Sequence, residues 1–274
     1  MTAHVHRRRR VAVALAVVAT VATACGGPPK NTTTSTSAPT SPPPTSVTST
    51  TTTTTTTTTA DSGVANGQSY RVTTASITGT TDDRRGQWNA RFGQISGGDA
   101  AVIDAFNNAS TASGRDQLNQ ARTEASPDAE WTFESTPTVS FRTVAVAQVI
   151  VGVYSAQHAA HPSNYVSTVV IDARTAQPIT LATLFANQQS GLNRLSEQTK
   201  LIFPRVYGGG PDPMPDEPGN QPVAANFANW IPTSAGLELH FADYQFGHGL
   251  AVITVPWSAL ADVLAPTMGA LTHD

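Results

Sequence analysis

A single cysteine, two lysines and the lack of any long apolar run set the outer bounds of this 274-residue chain. With Cys25 alone, no disulfide can form within the chain, so the fold must rest on its apolar core. Lys30 and Lys200 are the only lysines and the arginines beyond residue 10 are scattered, so there is no clustered positive surface of the kind that grips a phosphate backbone. Nucleic acid is therefore not expected as a partner. The longest apolar stretch, Val11 to Ala24, has 14 residues. A bilayer-spanning helix needs about 18 to 20, so this segment reads as one that is cleaved rather than one that spans.

What is present around that stretch is more specific. Arg7 to Arg10 precede it, and it closes on Val21-Ala22-Thr23-Ala24-Cys25-Gly26, the pattern of a signal peptide with a lipobox in which Ala22 stands where leucine is usual. The sequence thus predicts a signal peptide over residues 1–24 and a mature chain beginning at Cys25. Its thiol would carry diacylglycerol and its freed amine an acyl chain. Each buried methylene contributes about 0.8 kcal/mol, so two or three chains hold a protein at the extracytoplasmic face of the cell membrane. Loss of residues 1–24 leaves 12 basic against 19 acidic residues, a net charge of −7. A cationic partner is favoured by that sign. Residues 25–60 are dominated by Thr, Ser and Pro, including Pro42 to Pro44 and an unbroken Thr51 to Thr59, and lack the apolar surface to offset ordering entropy. They are expected to be an extended, disordered tether.

Residues 61–274 carry the periodicities of a folded domain. Gln68 to Thr80 alternates as a strand, and after Asp99, a reasonable N-cap, Val102, Phe106 and Ala109 fall on one helical face with Ile103 beside them. Trp131 to Val139, Val144 to Tyr154 and Tyr165 to Asp172 are rich in β-branched and aromatic residues. Val144 to Val153 is apolar on both faces and reads as a central strand. A short helix is expected at Leu181 to Phe185 and a longer one after Ser190 that ends at Pro204. Two strands, Leu237 to Phe241 and Leu250 to Val255, then lead through Pro256 into a helix from Trp257 to Leu264. The fold class is α+β, an antiparallel sheet with helices packed on it. Phe203 to Pro222 has Gly208 to Gly210 and five prolines after residue 210 without apolar periodicity, and is expected to be a surface loop.

Several motifs in residues 144–264 occur in a recognisable order. Tyr154-Ser155-Ala156-Gln157-His158 ends a strand, Val169-Val170-Ile171-Asp172 closes the next, and Arg174-Thr175-Ala176-Gln177 turns into Leu181-Ala182-Thr183-Leu184-Phe185. Further on come Phe241-Ala242-Asp243-Tyr244-Gln245-Phe246-Gly247-His248-Gly249 and Ile253-Thr254-Val255-Pro256-Trp257. This series resembles the C-terminal domain family of RsiV, the lysozyme-binding anti-sigma factor, a family shared with a secreted mycobacterial immunogenic antigen. Ala176 departs from it, standing where the family has a turn glycine. The resemblance implies the fold, and it suggests lysozyme, a strongly basic protein, as a partner.

Catalytic patterns are sparse. Gly93-Gln94-Ile95-Ser96-Gly97 displaces the serine from a nucleophile elbow, and Cys25 is committed to lipid. His158 and His161 could bind a metal with Asp172 or His240, and Glu134, Asp172, Glu238 and Asp243 could pair for glycoside hydrolysis, yet surface and strand positions explain all of them without chemistry. No metal or cofactor is expected. The reading is a non-enzymatic binding domain for lysozyme, another envelope protein or a glycan, with a cell-wall-acting hydrolase or esterase as the alternative. Its binding residues are expected to be Tyr154, His158, Tyr165, Tyr207, Tyr244 and His248, on the loops Tyr154 to Tyr165, Tyr207 to Gly219 and Tyr244 to Gly249.

Overall fold

Alternating Thr, Ser and apolar residues build the first long strand of the computed structural model, which describes residues 50–56 and 62–273. The expected signal peptide, Cys25 and most of the expected tether lie outside those residues. β1 (Thr50–Thr56) and β2 (Ser62–Ala65) both pair with one side of β3 (Gln68–Thr80). The first of these corrects the tether expectation. Thr50–Thr56 forms an antiparallel edge strand, because β-branched threonine suits a pleated surface and β2 covers only residues 68–71 of β3. Between β2 and β3 the chain turns at Asn66-Gly67 with φ of 49° and 72°, as a two-residue hairpin requires.

β4 (Gly86–Ser96) returns along β3, and α1 (Ala100–Glu124) then carries the chain to β5 (Trp131–Arg142), which lies parallel to β4. Asp99 caps α1 as expected, its side chain accepting from the Val102 N–H at 3.0 Å. The buried stripe of α1 is Val102, Phe106, Ser110, Gly114, Gln117, Leu118 and Ala121. β6 (Ala145–Ala156), β7 (Ser163–Asp172) and the two-residue β8 (Gln177–Pro178) complete a sheet ordered β1-β3-β4-β5-β6-β7-β8, antiparallel except at β4–β5. In the turn between β7 and β8, Ala176 sits at φ 57°. An alanine there costs about 1 kcal/mol relative to the glycine that this backbone favours.

β6 is central, and its two faces have different neighbours. Val146 and Ile150 share buried clusters with α1 residues. Ala145, Ala147 and Val149 pack with α2 (Leu181–Leu184), α3 (Gln188–Tyr207) and a second sheet of β9 (Trp230–Pro232), β10 (Gly236–His240) and β11 (Val252–Pro256). The antiparallel sheet with helices packed on it is therefore the observed fold.

The ends of α3 and α4 differ most from the sequence reading. Pro204 lies inside α3, which runs on to Tyr207. A proline cannot donate to the carbonyl four residues back. Here the Lys200 carbonyl accepts instead from the Met214 N–H at 3.0 Å, so the loop replaces the missing bond. Phe203 to Tyr207 thus belong to the helix, and the loop proper starts at Gly208. α4 (Trp257–Leu260) is shorter than expected: the Val263 and Leu264 N–H groups still turn back to the Leu260 carbonyl, and beyond them the chain bonds to the end of α2 and the residues after it. The Ala186 N–H donates to Val263 and the Ala265 N–H to Leu184.

Candidate functional site

β7 opens with Asn164, and β10 is followed at once by the turn carrying Asp243, so the topology brings two distant loops together. The Asn164 backbone N–H and its side-chain amide both donate to Asp243 Oδ2 at 2.9 Å. Asp243 Oδ1 accepts from the Gly249 N–H at 2.6 Å and the Tyr244 N–H at 3.1 Å, with His248 Nδ1 at 3.2 Å. The carboxylate is 9% exposed, so it works as an internal clamp rather than as a free charge. Burial alone would push its pKa up. The N–H of Gly249 and the two donors of Asn164, together with His248, outweigh that and hold it at about 2.

Above the clamp, three rings gather. The Tyr244 hydroxyl lies 2.7 Å from His161 Nε2, the His161 and His248 rings are 4.3 Å apart, and Tyr244 is 5.3 Å from His248. Tyr244 is 58% exposed and presents a wide aromatic face. The tight turn beneath depends on Gly247 at φ 129° and Gly249 at φ 108°, conformations that side-chain-bearing residues rarely adopt. Among the described residues, no group of three or more His, Cys, Asp or Glu has metal-holding geometry.

The cluster stands at one end of a groove of about 710 Å³ between α1 and the outer edge of β7. Asp116 and Glu124 from α1 and Asp243 are the charged side chains that line it. A second groove of about 420 Å³ shares Ala109, Thr168 and Val169 with the first and continues along β7 toward Ile171.

The residues expected to bind divide sharply. Tyr244 and His248 are in the cluster, and His161, considered earlier only as a metal ligand, joins them. Tyr154 and Tyr165 are not surface residues: each is 7% exposed in a core cluster with Trp131 and Phe133. Both occupy strand positions whose alternation turns them toward α1, and the Tyr165 hydroxyl donates to Glu124 Oε2 at 2.5 Å. Burial, then Glu124, raises the Tyr165 pKa, so this phenol stays neutral. Tyr207 is half exposed, yet its hydroxyl accepts from the Val252 N–H at 2.7 Å and donates to the Val252 carbonyl at 3.1 Å, pinning the end of α3 to β11. His158 lies in an exposed turn at φ 67° and outside the ring cluster.

The carboxylates do not converge. Asp172 is held by Arg174 at the opposite end of β7, at 2.6 Å between Oδ2 and Nη2. Glu238 contacts His240 at 2.8 Å, and Glu134 sits on an exposed strand position in the same cross-strand row as Val153 and Asn164. Asn164 and the α1 wall of the groove escaped the sequence reading. The polar residues Ser113, Asp116, Gln117 and Gln120, at helical spacing, were the available signal.

No protein-family model and no curated protein matches the chain. Among solved structures, a DUF3298 family protein from Pseudomonas aeruginosa is similar with a TM-score of 0.45 at 12% identity, over 66% of this chain and 87% of that one. A DUF3298 family member from Bacteroides fragilis gives 0.48 at 10% identity, over 75% of this chain and 98% of that one.

Proposed function

We propose that this protein is a lipid-anchored, extracytoplasmic binding protein that captures a basic envelope partner through the ring cluster of His161, Tyr244 and His248. The observation that carries the reading is the clamp on Asp243. It fixes two loops into one presented surface, and the groove beside that surface has only acidic charged side chains. Aromatic rings on a fixed backbone give contact area at low entropic cost, and acidic surroundings steer a cationic protein toward them. The net charge of the chain from Cys25 onward, −7, acts in the same direction. Lysozyme is the partner that the sequence resemblance suggests. Turnover is not part of the proposal. Among the described residues, no Ser, Thr or Cys side chain hydrogen-bonds to His158, His161, His240 or His248, and the hydroxyl beside His161 is the phenol of Tyr244.

Anchoring is tested by Cys25→Ala, which is expected to release the protein from membranes or to leave an unprocessed precursor. Normal processing with full membrane retention would remove the lipid anchor from the proposal. Binding is tested by titrating lysozyme onto the mature chain in detergent micelles at two salt concentrations. Affinity should fall as salt rises, and Tyr244→Ala combined with His248→Ala should weaken it about tenfold or more. No binding at low salt, or wild-type affinity in the double variant, would refute the reading.

A further inference from the structure

The outer edge of β7 is unfinished. On its inner side all of Tyr154 to Ala145 on β6 pairs with Ser163 to Asp172, whereas on its outer side β8 reaches only Ile171 and Asp172. In an antiparallel strand the N–H and C=O of every second residue point to the same side. The Asn164 N–H, taken by Asp243, and the Val170 C=O, taken by the Ile179 N–H, mark the even residues as outward. Between them lie Val166 and Thr168, whose outward N–H and C=O make no hydrogen bond among the described residues. These groups run along the groove, and from Ser163 to Ile171 the edge spans about 26 Å at 3.3 Å per residue.

Open edges are usually blunted by lysine, proline, an inward charge or a bulge, because they invite pairing. Ser163 to Ile171 has no charged residue and no proline, and its pairing with β6 is continuous. We infer that this edge is a strand-addition site for an extended, basic peptide segment of the partner, its main chain pairing with Val166 and Thr168. Neither groove is lined by Lys or Arg, while the Asp116 and Glu124 carboxylates line the first, which sets the sign of the occupant. Main-chain bonds supply affinity in this mode, and alternate side chains reach toward the shallow wall formed by Ala109, Ala112 and Ser113. The charge of the occupant rests on the proposed function, and the pairing does not.

The probe is a library of random decapeptides panned against the mature chain in detergent micelles. The best binder is then resynthesised with N-methyl groups at its odd or at its even positions. Basic sequences should be selected. Methylation of one set should weaken binding about tenfold, through two or three lost main-chain bonds, and the other set should have little effect. Val166→Pro, which removes an outward donor, should do the same as the harmful set, and the peptide arms decide the matter if that variant does not fold. Equal binding by both methylated sets would overturn strand addition while leaving a basic partner standing. Selection of acidic peptides with the alternating methyl pattern would keep the edge and overturn the charge of its occupant. A concentration-dependent dimer dissolved by the peptide would give the edge to a second copy of the chain and overturn the proposal.

Discussion

Replacing Gly236 by alanine should cost about 3 kcal/mol or more of folding stability, beyond the range usual for overpacking because the obstacle is main chain. A Cβ at this position would lie 2.0 Å from the Val255 carbonyl oxygen and 2.7 Å from its carbon. Gly236 opens β10 opposite Pro256, and its carbonyl accepts from the Thr233 N–H at 2.9 Å, so the strand cannot shift without losing both its turn and its partner. Val255 is itself fully buried beside Leu237 in the core under β6. Urea unfolding would measure the loss, with Gly210→Ala as the control, since nothing lies within 4 Å of that position. A cost below about 1 kcal/mol would mean that β10 and β11 do not pair in this register. Because the clamp loop connects these two strands, ligand binding should fall with stability in the variant.

The second large effect belongs to Asp243→Ala. It strips the acceptor from the Asn164 N–H and side-chain amide, from the Gly249 N–H and from the Tyr244 N–H. Charge-assisted bonds in a nearly buried place make a cost of about 2 to 3 kcal/mol reasonable, with affinity for a basic partner reduced about tenfold or more. The pH dependence has a definite sign. A carboxyl depressed from its ordinary 3.8 to about 2 contributes stability that is complete above about pH 4 and is lost as pH falls toward 2. The stability difference between wild type and Asp243→Ala should therefore be constant from pH 7 to 5 and shrink below pH 4. A difference that stays flat down to pH 2 would show that the carboxylate does not hold the loops.

Local pattern and long-range contact explain what the sequence could and could not disclose. β3 has the predicted limits, Gln68–Thr80, because half-buried alternation is a property of the strand alone. β6 was placed correctly at the centre since only a strand covered on both sides can be apolar at consecutive positions. β4 was legible and was passed over: Trp88, Ala90 and Phe92 alternate in its first half. β9, with three residues, is too short for any period to appear. The extension of α3 beyond Pro204 could not be foreseen, because the bond that permits it comes from Met214, ten residues later in a loop without pattern. The ring cluster was half visible. Tyr244 and His248 were singled out by their glycine-rich turn, whereas their association with His161 exists only after β7 and β10 have packed. Tyr154 and Tyr165 misled for the opposite reason, since aromatic residues at strand ends look like a loop rim until the parity of each strand is known.

The pairing of Thr50–Thr56 has a mechanical side. Among the described residues β1 has a single neighbour, β3, so it can peel away without breaking any other pair described in the sheet. Its release would hand seven residues, about 23 Å of contour, to the segment leading from Cys25. If the proposed lipid anchor and partner hold the chain at its two ends, that strand would be slack in reserve, drawn out under tension before the pairs that shape the groove are strained.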